Sequence, residues 1–159
     1  MSKLGNVLGA EYQDKKLSLV TKNIQVGDAT FKVRIPTVGE QEAINKRLVE
    51  IDTAKIQAVY DDITKNLMAH KDEQIEGVEF TDDDVLVNGK SMREAARNSV
   101  AVQTRVMEAF KLIIPAEGAD WSQITYEDIE AELPFQAQLE VVTKILEAIN
   151  PDYKTIKEK

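Results

Sequence analysis

Apolar and polar positions alternate in two short runs on either side of Gly27-Asp28: Ile24 and Val26 before it, then Phe31, Val33 and Ile35. A period of two sends alternate side chains to opposite faces, so the pattern predicts an antiparallel hairpin with one apolar and one wet face. Pro36 has no N–H to give a ladder, so pairing is expected to stop there. Leu17-Ser18-Leu19-Val20 alternates weakly and is read as the start of the first strand, giving a hairpin over 17–36. Residues 1–16 are polar, with Leu4, Val7 and Leu8 as apolar anchors, and are expected to form a flexible arm.

Beyond the proline the period changes to that of helices. Thr37-Val38-Gly39-Glu40 has capping-box spacing, and a helix is expected from it to about His70. Its apolar phase shifts between the stripe of Ile44, Leu48 and Ile51 and that of Ile56, Val59, Ile63 and Leu67. Either the helix breaks near Asp52-Thr53 or one helix serves two neighbours; the lack of Gly or Pro favours one helix. Residues 71–84 form an acidic loop. Val85 to Met92 reads as a second small hairpin or a short helix, with Asn88-Gly89 as a turn.

Ser91-Met92-Arg93-Glu94 opens a helix whose apolar positions, among them Met92, Ala96, Val106 and Phe110, share one face. Thr125-Tyr126-Glu127-Asp128 starts a short helical turn. Pro134 suits the first turn of a last helix ending before Asn150-Pro151. Phe135, Leu139, Val142, Leu146 and Ile149 are its main stripe. Val141, Ile145 and Ala148 widen the apolar arc to roughly 200°, against about 100° for an ordinary surface helix. That helix is therefore buried on two sides, either within the monomer or against something else. The predicted fold is α+β and predominantly helical: an N-terminal antiparallel β-hairpin followed by three main α-helices. It is expected to be a single domain over 1–159, closed by a charged tail over 151–159.

Composition narrows the function more by exclusion than by indication. A chain of 159 residues, 43% hydrophobic, has material for one ordinary core. The 28 acidic against 20 basic residues, a net charge of -8, oppose non-specific attraction to nucleic acid or anionic membrane. Without cysteine there is neither a disulfide nor a thiolate metal site. No apolar run is long enough for a signal peptide or a membrane span, so a protein that stays where it is made is expected.

Candidate chemistry is sparse. His70 is the only histidine, and beside Lys71 and Asp72 it reads as the end of a helix rather than a base with an orienting partner. The HExxH, GxSxG and P-loop signatures are absent. Counted as an EF-hand loop from Asp82, the sixth position is Val87 instead of glycine and the twelfth is Arg93, so that match fails. Arg93, Arg97 and Arg105 form a charged face that either pairs with the acidic loop or meets a partner. Trp121, Tyr126 and Phe135 surround the entry to the last helix, as packing or as a docking cluster. No catalytic, cofactor or metal residue is singled out.

The run Thr30-Phe31-Lys32-Val33-Arg34-Ile35-Pro36-Thr37, passing straight into a charged helix, resembles the tail assembly chaperones of long-tailed, siphovirus-type bacteriophages. Ile124-Thr125-Tyr126-Glu127-Asp128-Ile129, then Leu133-Pro134-Phe135 and a terminal apolar helix, is similar to that family's closing section. The resemblance runs from about 20 to 150, with the Asp72–Asn88 stretch as an unfamiliar insert. It implies a protein without enzymatic activity or cofactor, working in the host bacterial cytoplasm. Its partner would be the tape measure protein, kept soluble while tail tube protein polymerises around it. It also implies a possible homo-oligomer, and a longer frameshifted form arising near Lys154–Lys159. On this reading Val141, Ile145 and Ala148 are the candidate partner-binding residues, unless that face packs on the hairpin or the long helix. The competing reading is a structural tail or head–tail completion protein.

Overall fold

The computed structural model describes residues 2–150, and the predicted charged tail lies outside them. The hairpin is present but starts later than expected. β1 (Thr21–Val26) and β2 (Ala29–Arg34) pair antiparallel, with Ile24 opposite Phe31 and Lys22 opposite Val33. Gly27 turns the chain at φ 59, a left-handed conformation that costs glycine little. On the apolar face Ile24 and Val33 are buried, whereas Asn23, Gln25, Thr30 and Lys32 face water.

Ahead of the hairpin, the expected arm is helical instead. α1 (Lys3–Leu8) and α2 (Ala10–Val20) are separated by Gly9 at φ 88. The Ser2 hydroxyl caps α1 by accepting from the Gly5 N–H at 2.9 Å. Leu17 to Val20, read as strand, is the last turn of α2, and the Thr21 hydroxyl closes it by donating to the Leu17 carbonyl at 2.6 Å. The reason is intrinsic propensity: Ala, Glu, Gln, Lys and Leu dominate this stretch and all favour helix. α2 has no buried residue, so the apolar pattern carried no signal of it.

The long helix expected over 38–69 is two. α3 (Val38–Val49) stops before Ile51, and α4 (Thr53–Met68) restarts on Asp52, whose carboxylate accepts from the Ala54 N–H at 2.9 Å. A cap alone makes the break, with no Gly or Pro needed.

The described chain groups into two compact units. The first takes residues up to 42 and from 106 onward. Here β2 gains a short third neighbour from the segment after α5 (Met92–Phe110). The Arg34 N–H donates to the Leu112 carbonyl at 2.7 Å and the Ile114 N–H to the Lys32 carbonyl at 2.8 Å. α6 (Tyr126–Glu132) opens with a complete Thr125–Asp128 capping box, and α7 (Phe135–Ile149) packs against both strands. Val33, Val106, Phe110, Ile129, Val142 and Ile145 are among its buried residues.

The second unit covers 43–105. Within the expected acidic loop lies a strand, β3 (Val78–Phe80), paired antiparallel with β4 (Val85–Val87), which pairs in turn with β5 (Lys90–Ser91). The β4–β5 turn is Asn88-Gly89 with φ 52 and 80, both left-handed as a two-residue hairpin turn of this type requires. Tyr60 of α4, Val85 and Ala96 form the buried centre, packed around by Ile56, Leu67, Phe80 and Met92.

Candidate partner-binding surface

Most of the face expected to bind a partner is turned inward on the folded chain. Val141 is 5% exposed and Ile145 0%, and Ala148 is half-buried. α7 lies against β1 and β2, so the side of its wide apolar arc that carries Val141 and Ile145 is spent on the unit's own core. The outward side carries Phe135 and Leu139, 51% and 43% exposed.

At its C-terminal end α7 contributes to a different surface. Ile149 and the hairpin–helix junction, Ile35 to Val38 with Gln41 and Glu42, line an open groove of about 300 Å³. Local chemistry shapes this junction. The Ile35 N–H donates to the Val20 carbonyl at 2.7 Å, the last rung before Pro36 ends pairing. Thr37 then serves α3: its hydroxyl accepts from the Glu40 N–H at 3.3 Å, and its carbonyl from the Gln41 N–H at 2.9 Å.

The Glu40 carboxylate turns back to Thr37, as in a capping box, and is bound in addition by the Arg34 guanidinium. That hydrogen bond from Arg34 is the main reason the Glu40 carboxyl lies below its ordinary pKa. Arg34 thus ties the end of β2 to the first turn of α3, while its own N–H holds the Leu112 carbonyl. The result is a fixed apolar floor with Val38 standing 78% exposed and Glu42 exposed at the rim. Such a surface accepts aliphatic side chains and favours a basic neighbour beside them. The Thr37 hydroxyl at its edge is taken up in the cap, accepting from the Glu40 N–H and donating to the Glu40 carboxylate at 3.5 Å.

Arg93 does meet the acidic loop: its Nε–H donates to the Asp83 carbonyl and its guanidinium lies over the Tyr60 ring. Arg97 and Arg105 are exposed. Asp84 accepts from the Val85 and Arg93 N–H groups at 2.7 and 3.1 Å and from the Ser91 hydroxyl, so the carboxylate caps α5. Its polar capacity is used in folding.

His70 lies just past α4, exposed, with Nδ1 3.2 Å from Glu73. Trp121 donates from Nε1 to the Ile113 carbonyl at 2.7 Å and meets Phe110 edge-on, and Tyr126 donates to Gln138 at 2.9 Å. Both aromatics are packing residues; Phe135 remains exposed. Among the described residues no three acidic or histidine side chains gather as a metal set, and no helix is long and apolar enough to cross a membrane.

In the sequence Val38 belongs to the cap of α3 and Ile149 to the stripe of α7, and nothing there brings the two into one groove. Val38 did carry a signal, an apolar residue in the first turn of α3 and outside the Ile44–Leu48 stripe. No protein-family model matches this chain, and no curated protein and no solved structure matches it either.

Proposed function

We propose that this protein is a non-enzymatic tail assembly chaperone of a long-tailed bacteriophage. It binds apolar helical stretches of the tape measure protein in the host bacterial cytoplasm and keeps that protein soluble while the tail tube polymerises. The observation that carries the reading is the open apolar groove beside Ile35-Pro36-Thr37, formed by the same junction whose sequence resembles that family. A holding chaperone needs apolar surface to cover a client and net charge to keep the complex dispersed. The groove supplies the first and a charge of -8 the second. An amphipathic client helix would seat its apolar side chains there, with basic residues facing Glu42.

Co-expression with the tape measure protein of the same phage tests this. The client is expected in the soluble fraction with the wild-type chain and in the pellet with Val38→Glu, a change at an exposed position that leaves the fold intact. A client that stays insoluble, together with this protein in purified mature particles, would establish the structural tail or head–tail completion reading instead.

A further inference from the structure

Among the described residues two apolar surfaces of the same unit stand uncovered, and they complement each other. In α1, Leu4, Val7 and Leu8 fall at i, i+3 and i+4, a single helical stripe, and are 56, 83 and 52% exposed. The side of α1 that does pack is Gly5, which is buried and sits against Gln13 of α2. A helix of six residues gains too little from its own hydrogen bonds to persist in water, so its exposed apolar stripe needs a cover. The groove at the start of α3 is the matching concavity: about 300 Å³, roughly twice the ~150 Å³ cavity that admits benzene, and so roomy enough for more than one aliphatic side chain. Charge agrees as well. The stretch 2–8 carries Lys3 and no acid, whereas the groove lining carries Glu42 and no base, Glu40 beside it being paired with Arg34.

We propose that the Leu4/Val7/Leu8 stripe of one copy docks in the Ile35–Glu42/Ile149 groove of a second copy, with Lys3 beside Glu42. Among the described residues of one chain the stripe and the groove are both open, so neither covers the other. Each copy then offers one knob and one hole, and such a contact closes into a ring or a reciprocal pair according to the rotation it imposes. The association requires no client and stands whether or not the tail-chaperone reading does.

The test uses the purified full-length chain. Sedimentation velocity across a hundredfold concentration range is expected to show reversible self-association, weakened at least tenfold by Val7→Asp and equally by Val38→Glu. At these exposed positions the variants are expected to keep wild-type circular dichroism. Because the chain has no cysteine, Val7→Cys and Val38→Cys proteins mixed under mild oxidation are expected to give the mixed disulfide well in excess of either homodimer. Monomer at every concentration overturns the proposal. So does a Val7→Cys homodimer as the main product, which would put α1 against α1. In a double-cysteine variant, rapid closure within one chain at high dilution overturns it too, since α1 would then occupy its own groove.

Discussion

The Arg93 guanidinium lies 4.0 Å from the centroid of the Tyr60 ring, joining the first turn of α5 to the buried centre of the second unit. Tyr60 is 7% exposed, and the contact is one arm of a larger hold: Arg93 also donates to Gln57 at 3.0 Å and to the Asp83 carbonyl. A planar cation stacks on a ring and fills three directions at once, which an ammonium does not. Arg93→Lys is therefore expected to lower the stability of this unit by about 0.5–1 kcal/mol although charge is conserved. Tyr60→Ala, which empties the centre, should cost about 3 kcal/mol or more. Urea titration followed by circular dichroism reads both; a neutral Arg93→Lys would reduce the stack to a surface contact.

Asp84 makes a prediction in pH. Burial opposes its ionised form, yet the hydrogen bonds from Ser91, Arg93 and Val85 outweigh burial and hold its carboxyl below the ordinary value. A depressed folded-state pKa stabilises the fold above the unfolded value and ceases to do so as pH falls through the folded one. Asp84→Ala should thus cost about 1 kcal/mol at neutral pH, in line with loss of a helix cap. The gap between wild type and variant should close in acid, below about pH 4. Denaturant midpoints at a series of pH values check this, and a gap independent of pH would show that the cap acts by shape alone.

The two sides of α7 should respond oppositely to truncation. Ile145 is wholly buried, so Ile145→Ala is expected to cost about 2–5 kcal/mol. Leu139, 43% exposed, should lose well under about 1 kcal/mol on the same change. Trp121, the only tryptophan, packs against Phe110 in the same unit, so its fluorescence follows the loss. Equal costs would mean that the helix is rotated from the orientation described.

What was legible in the sequence is what depends on neighbours in sequence. Alternation around Gly27 marked the hairpin, Asn88-Gly89 marked a turn, and Thr125 with Asp128 marked a helix start, each a device complete within a few residues. The arc of α7 told that two sides are occupied, but Val141 and Phe135 are both apolar, and only the position of the hairpin decides which turns inward. The pairing of Val33 with Ile113 joins residues 80 apart with no motif at either end. The groove needs Ile149 beside Ile35, a meeting that periodicity does not encode. α1 and α2 escaped for the opposite reason: they bury almost nothing, so their helicity shows in composition alone.

Among the described residues Gln13 is the one place where a buried side-chain nitrogen or oxygen is left unmet. Its Nε2 has no hydrogen-bond partner and lies over Gly5, where a Cβ would come within 1.6 Å of it. An unpaired buried amide costs about 1–3 kcal/mol. Methionine has nearly the same length and helix propensity and nothing to satisfy. Gln13→Met is accordingly expected to tighten α1 on α2 by about 1 kcal/mol, seen as slower amide hydrogen exchange over residues 3–20. Gly5→Ala should do the reverse, since its methyl takes the space in which the amide packs and the two helices must part. Unchanged exchange in Gln13→Met would mean that water reaches the amide in solution and the contact with Gly5 is looser than described.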